Sequence, residues 1–142
     1  MLIMDYDLKL KENIKRNEKF IDEFEKWLIE KKLSDKTINK HLNNIDLYIN
    51  NYLNYYDFVK MENGIKDVYS FLGDWFIEKC AWSSRTSLKD TAASIKKFYQ
   101  CMCEKGHVSK DDYEFMCKMI KDNMDKFLDR VDEYNYELFN DY

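Results

Sequence analysis

The segment LSDKTINKHLNNIDLYINNYL, residues 33–53, places a helix-capping serine ahead of a regular apolar stripe. The side-chain oxygen of Ser34 can accept a hydrogen bond from the unpaired amides of a first helical turn. Apolar residues then recur every three or four positions, which is the spacing of one buried helix face. The segment therefore predicts a helix that begins after Ser34 and ends near Leu53. Its core stripe comprises Ile38, Leu42, Ile45, Ile49 and Tyr52.

The segment SSRTSLKDTAASIKKFY, residues 83–99, repeats this plan. A cap at Ser83 or Ser84 precedes a second apolar stripe, and Gly106 has the freedom at positive φ that suits a helix C-terminus. We therefore expect a helix between the serine cap and the glycine. Its core stripe comprises Leu88, Ala92, Ile95, Tyr99 and Met102.

The same periodicity predicts three further helices. One begins at an Asn17 cap and ends near Lys32, one spans about 64–80, and one begins at a Ser109 cap and ends near Val131. Their apolar residues are Phe20, Ile21, Phe24, Trp27 and Leu28 in the first, Ile65, Val68, Phe71, Leu72, Trp75 and Phe76 in the second, and Met116, Met119, Ile120, Phe127 and Leu128 in the third.

Composition supports an all-α fold. The chain of 142 residues has no proline and only three glycines, so it lacks the turn residues that an all-β fold needs. We expect one compact bundle of four to five helices over residues 17–133. An N-terminal extension, 1–16, precedes it, and an acidic aromatic tail, 134–142, follows it.

Charge is divided unevenly along the chain. The net charge is -4, but residues 1–110 hold 19 basic and 17 acidic side chains, whereas residues 111–142 hold 4 and 10. Basic and hydroxyl side chains concentrate at the starts of the two capped helices, where free amides and the helix dipole favour a phosphate. Asp90 interrupts this pattern. An ordinary solvated helix face is the alternative interpretation of both flanks.

Two segments resemble the N-terminal core-binding domain of tyrosine recombinases, the phage integrases. FIDEFEKWLIEKKLSDKTINKHLNNIDLYINNYL, residues 20–53, has an aromatic first helix, then "LS..T", then a regular apolar stripe. SSRTSLKDTAASIKKFYQCMCEKGHVS, residues 83–109, is similar to a later part of that domain, in which a capped helix runs through small residues into "FY" and a glycine follows. The likeness covers about residues 17–110.

The resemblance implies a SAM-like helical domain that clamps duplex DNA with its two capped helices. The residues that it and the polar flanks assign to DNA binding are Lys36, Thr37, Lys40, His41, Asn44, Arg85, Thr86, Lys89 and Lys97. A recombinase or a second copy of the chain is a further expected partner. The alternative function is a helical protein-protein interaction domain that has lost DNA binding.

We expect no enzyme activity from this chain. The family's catalytic domain carries a His-x-x-Arg motif, whereas His41 leads into Leu-Asn-Asn and His107 into Val-Ser-Lys. Cys101 and Cys103 point about 200° apart on a helix, so they cannot easily share a metal ion. We predict reduced cysteines, no cofactor, no metal, no small-molecule substrate, no membrane partner and a cytoplasmic location, since no signal peptide or apolar span is recognisable.

Overall fold

The computed structural model describes residues 3–140, and within this range it contains helices and no strands. This confirms the all-α prediction and the compact bundle. The helices are α1 (Ile3–Glu30), α2 (Asp35–Asp46, continued by a π-helical turn over Leu47–Tyr52), α3 (Met61–Gly64), α4 (Val68–Ser70, a π-helical Phe71–Trp75, and Phe76–Lys79), α5 (Arg85–Glu104) and α6 (Lys110–Asn140).

Helices α2, α5 and α6 each begin after a capping serine, as the sequence predicts. Ser34 Oγ accepts a hydrogen bond from the Thr37 amide at 3.2 Å. Ser84 forms a capping box with Ser87, in which each side chain accepts from the other residue's amide. Ser109 Oγ accepts from the Asp112 amide at 3.1 Å. Each cap satisfies an amide that the helix itself leaves unpaired.

The predicted end of α5 is also confirmed. Gly106 has φ 83°, and the His107 amide donates to the Met102 carbonyl at 2.8 Å. This bond closes a C-terminal turn of the kind that glycine permits, because a side chain at positive φ would clash with the backbone.

The predicted start of α1 is wrong. Asn17 does not cap a helix, because α1 begins at Ile3 and Asn17 lies in its middle, buried. Its Nδ2 donates to Asn50 Oδ1 at 2.8 Å and to the Ile49 carbonyl at 3.2 Å. One turn earlier Asn13 Nδ2 donates to Asn54 Oδ1 at 2.6 Å. Asn17, which suggested a helix start, therefore forms with Asn13 a buried polar contact between α1 and the C-terminal end of α2.

Two other helix boundaries differ from prediction. The helix expected over 64–80 begins only at Val68, because Gly64 is the last residue of the short helix α3 and a turn over 65–67 follows it. The last helix continues past Val131 to Asn140, so the residues assigned to the acidic tail are helical as far as they are described. No glycine or proline lies between 107 and 142, and nothing in the local sequence therefore stops α6.

A cluster of aromatic side chains fills the centre of the bundle. Phe71 lies with its ring centroid 4.8 Å from Tyr48, 5.0 Å from Tyr52 and 5.8 Å from Trp75. Helix α5 runs through this core, with α2 packed on one side and α6 on the other. Most of the predicted stripe residues are buried; Ile21, Leu42 and Met119 are only partly buried and pack against the core.

Candidate nucleic-acid interface

The two capped helices lie side by side and run in the same direction. Lys40 Nζ lies 3.8 Å from Asp90 Oδ1, and Asn44 Nδ2 donates to Ser94 Oγ at 3.0 Å. Both contacts join residues 50 positions apart, and this constant offset defines a parallel pair. The caps Ser34 and Ser84 therefore lie at the same end of the bundle. A sequence pattern predicts each helix separately, but only this packing places the two starts together.

Parallel packing aligns the two helix dipoles. Each helix start presents amides without an intrahelical partner and a partial positive charge, so the shared end of α2 and α5 favours anions over cations. Lys36 in the first turn of α2 and Lys89 in the second turn of α5 are exposed and add full positive charges. The arrangement suits phosphate groups spaced along a backbone.

The predicted DNA-binding residues differ in how far their side chains are exposed to solvent. Five of them are exposed, three are half-buried and one is buried. The exposed residues are Lys36, Lys40, Arg85, Thr86 and Lys89, the half-buried residues are Thr37, Asn44 and Lys97, and the buried residue is His41.

His41 does not lie on the exposed flank where its position suggested. It is 4% exposed, and its Nδ1 lies 2.7 Å from Ser94 Oγ at the contact between α2 and α5. Burial lowers the pKa of His41, and the nearby charges of Lys40 and Lys97 lower it further, against an opposing effect of Asp90. The ring therefore holds the two helices together in its neutral form and does not face a ligand at the surface.

Ser94 is the residue that sequence analysis missed at this contact. Its hydroxyl is buried, donates to the Asp90 carbonyl at 3.1 Å, and lies within hydrogen-bond distance of both His41 and Asn44. The small side chain in the stretch TAAS allows α2 to approach α5 closely. A serine within a helix interior is the one sequence signal that pointed to such a contact.

The free energy of unfolding should depend on pH in part because His41 is buried in its neutral form. The unfolded chain binds a proton at His41 near the ordinary pKa of about 6.5, whereas the folded chain does so only at lower pH. The stabilisation that neutral His41 contributes to the folded state is therefore fully present above about pH 6.5 and is lost as pH falls below that value. We expect His41→Gln, which cannot take up this proton, to lower the pH dependence of the free energy of unfolding between about pH 7 and pH 5.

Urea unfolding at several pH values measures this effect. The matched control is His107→Gln, which removes the only other histidine in the chain, at a site where its ring contacts Glu23 at 2.8 Å. A His41→Gln variant with the same pH dependence as the unaltered chain would contradict the assignment.

Arg85 is held by the acidic last helix. Its Nη1 lies 2.6 Å from Asp132 Oδ2 on α6, and both side chains are about half exposed. An exposed pair of this kind contributes at most about 1 kcal/mol to stability, so it can exchange with another anion. The acidic end of α6 thus competes for one of the cations that the sequence assigns to DNA.

Other polar clusters have structural explanations. Trp27 Nε1 donates to Glu104 at 2.7 Å and, with the contact between Glu23 and His107, joins α1 to the end of α5. All four cysteines are free, and burial raises the pKa of Cys101 to about 12. Within residues 3–140 no group of histidine, cysteine and carboxylate side chains is arranged to hold a metal ion. None of the helices in that range has the apolar length that a membrane span requires.

No protein-family model, curated protein or solved structure matches this chain. The likeness to the recombinase core-binding domain therefore rests on the quoted sequence segments.

Proposed function

We propose that the chain binds duplex DNA through a surface that spans α2 and α5, here called the capped surface and defined by Lys36, Lys40, Thr86, Lys89 and Lys97. The observation that carries this proposal is the parallel packing of the two helices. It brings the two capped starts to one end of the bundle. The four lysines of the capped surface lie on these two helices, whereas the net charge of the whole chain is -4. The resemblance of residues 17–110 to a DNA-clamping domain supports the same assignment.

Phosphate contacts are the expected mode of binding. The lysines supply charge, Thr86 supplies a hydroxyl donor, and the two helix starts supply backbone amides. Such contacts position a protein on a duplex without reading its sequence, so we expect affinity that depends strongly on salt and weakly on sequence. In this proposal the chain acts as a binding module and performs no strand cleavage by itself.

Removing one lysine from each capped helix should weaken DNA binding. We expect the double variant Lys36→Gln/Lys89→Gln to lower the affinity and to reduce the slope of log K against log salt by about 0.9 for each lost contact, or about 2 in total. Fluorescence-anisotropy titration of a generic duplex at several salt concentrations measures both quantities. The full chain is required, because α6 supplies core residues such as Ile120 and Phe127.

The control variant Lys11→Gln/Lys66→Gln removes the same charge from exposed positions outside α2 and α5. It should keep the original salt slope. Absence of salt-dependent binding by the unaltered chain, or an equal loss of slope in both double variants, would overturn the proposal.

A protein-interaction domain is the second candidate function. It is favoured by exposed aromatic side chains, which monomeric proteins rarely group together. Tyr55 and Tyr56 are exposed and lie with ring centroids 4.7 Å apart, and Tyr136 and Phe139 are exposed at the end of α6. Flat DNA titrations would favour this candidate over the first.

A further inference from the structure

A cleft with an apolar floor and a basic rim lies between α5 and α6. It has a volume of about 620 Å³ and is lined by Lys96, Cys117, Lys118, Ile120, Lys121 and Met124. Ile120 is fully buried beneath it, and Met124 and Cys117 are partly buried. We call these six residues the lysine cleft. None of them belongs to the capped surface.

The rim of the lysine cleft has positive charge that the bundle does not fully neutralise. Lys118 is paired with Asp122 at 2.6 Å, one turn along α6. Within the described residues, Lys96 and Lys121 have no acidic side chain within ion-pair distance. An apolar floor beneath such a rim suits an acidic segment that carries large apolar side chains.

The end of α6 has this complementary chemistry. Val131 is the last buried residue of the helix, Tyr134 still packs partly against the core, and residues 136–140 are all exposed. Tyr136 is 69% exposed and Phe139 is 82% exposed, and their spacing of three places them on neighbouring positions of one helix side. Residues 131–142 contain four acidic side chains and no basic one. Asp132 is already paired with Arg85 of its own chain, so we call residues 133–140 the α6 tip.

The α6 tip cannot reach the lysine cleft of its own chain. Ile120 and Tyr136 lie on the same continuous helix, 16 residues apart, and at 1.5 Å per residue this separates them by about 24 Å. An occupant from a second copy has no such restriction. Opposite charge and exposed apolar area on two separate parts of one molecule therefore point to contact between molecules.

We propose that the α6 tip of one molecule docks in the lysine cleft of a second copy. Tyr136 and Phe139 cover the floor formed by Met124 and Cys117, and Glu133 and Glu137 approach the rim lysines. The two surfaces are different, so the contact is heterologous. In a dimer one molecule keeps a free tip and the other keeps a free cleft, so further copies can add unless a ring closes. One helix end in one cleft is a small interface, below about 1,200 Å², and its association is transient.

Sedimentation equilibrium over a range of protein concentrations tests this arrangement. The unaltered chain should gain mean mass as concentration rises, and higher salt should reduce the gain because charge complementarity contributes. The tip variant Tyr136→Ser/Phe139→Ser and the cleft variant Lys96→Glu/Lys121→Glu should each remain monomeric. The tip variant alters only exposed side chains, so its fold should be unchanged.

Mixing the two variants gives the decisive result. The tip variant keeps a working cleft and the cleft variant keeps a working tip, so an equimolar mixture should form dimers that grow no further. The control Phe115→Ser, which alters a 75% exposed apolar side chain elsewhere on α6, should associate as the unaltered chain does. An unaltered chain that stays monomeric up to about 1 mM, a concentration at which even weak contacts are populated, would overturn the proposal. A mixture that stays monomeric would overturn it as well.

Discussion

Replacing Phe71 with alanine is expected to lower the free energy of unfolding by about 3–5 kcal/mol. Phe71 is fully buried, and its ring contacts the rings of Tyr48, Tyr52 and Trp75. The change removes buried apolar area and leaves a cavity that the surrounding helices cannot easily close, since interiors are densely packed. Contacts between aromatic rings add about 0.5–1.5 kcal/mol per pair beyond the area that they bury.

Chemical denaturation followed by circular dichroism measures this loss. Phe115→Ala is the matched control, because it makes the same substitution at a 75% exposed position and should change stability by less than about 0.5 kcal/mol. A loss below about 1 kcal/mol at Phe71 would show that the cluster is not the centre of the core.

Gly64→Ala is expected to destabilise the fold by about 1–3 kcal/mol, although the same change at an unhindered helical position usually stabilises a protein. A Cβ atom on Gly64 would lie 2.5 Å from Leu53 Cδ1 and 2.9 Å from the Tyr99 hydroxyl oxygen. Leu53 is 2% exposed, and Tyr99 donates to the Met61 carbonyl at 2.8 Å, so neither group can move without loss of contacts.

A double-mutant cycle with Leu53→Ala tests the cause of this effect. Shortening Leu53 removes the nearest atom, so Gly64→Ala should cost less in that background than in the unaltered chain. Neighbouring residues that share a contact typically show such coupling at about 0.5–3 kcal/mol. Additive losses would show that the steric contact with Leu53 is not responsible.

Local sequence signals predicted much of the fold. Ser34, Ser84 and Ser109 cap helices because a serine oxygen satisfies a first-turn amide whatever the rest of the chain does. Gly106 ends α5 for an equally local reason, its tolerance of positive φ. The apolar stripes identified most of the core, because helix geometry alone decides which residues share a face.

Helix lengths depended on longer-range contacts. Asn17 has the side chain of a cap, yet α1 passes through it, because α2 supplies Asn50 and the Ile49 carbonyl as hydrogen-bond partners 32 and 33 residues away in sequence. A single-sequence pattern gives no measure of such partners. The residues that follow the π-helical turn of α2 also have a distant partner, since the Asn13 side chain donates to Asn54 Oδ1 at 2.6 Å from 41 residues away in sequence.

The candidate site likewise has features that local sequence specifies and features that only the packing of distant helices specifies. Local sequence specifies the helical class, the caps and the residue types of the two polar flanks, because these follow from local hydrogen bonding and a period of 3.6 residues. Tertiary packing makes α2 and α5 run parallel, buries His41 against Ser94 and brings Asp132 to Arg85. These features depend on how helices distant in sequence pack, because each such contact gains its energy from a partner that no local pattern specifies.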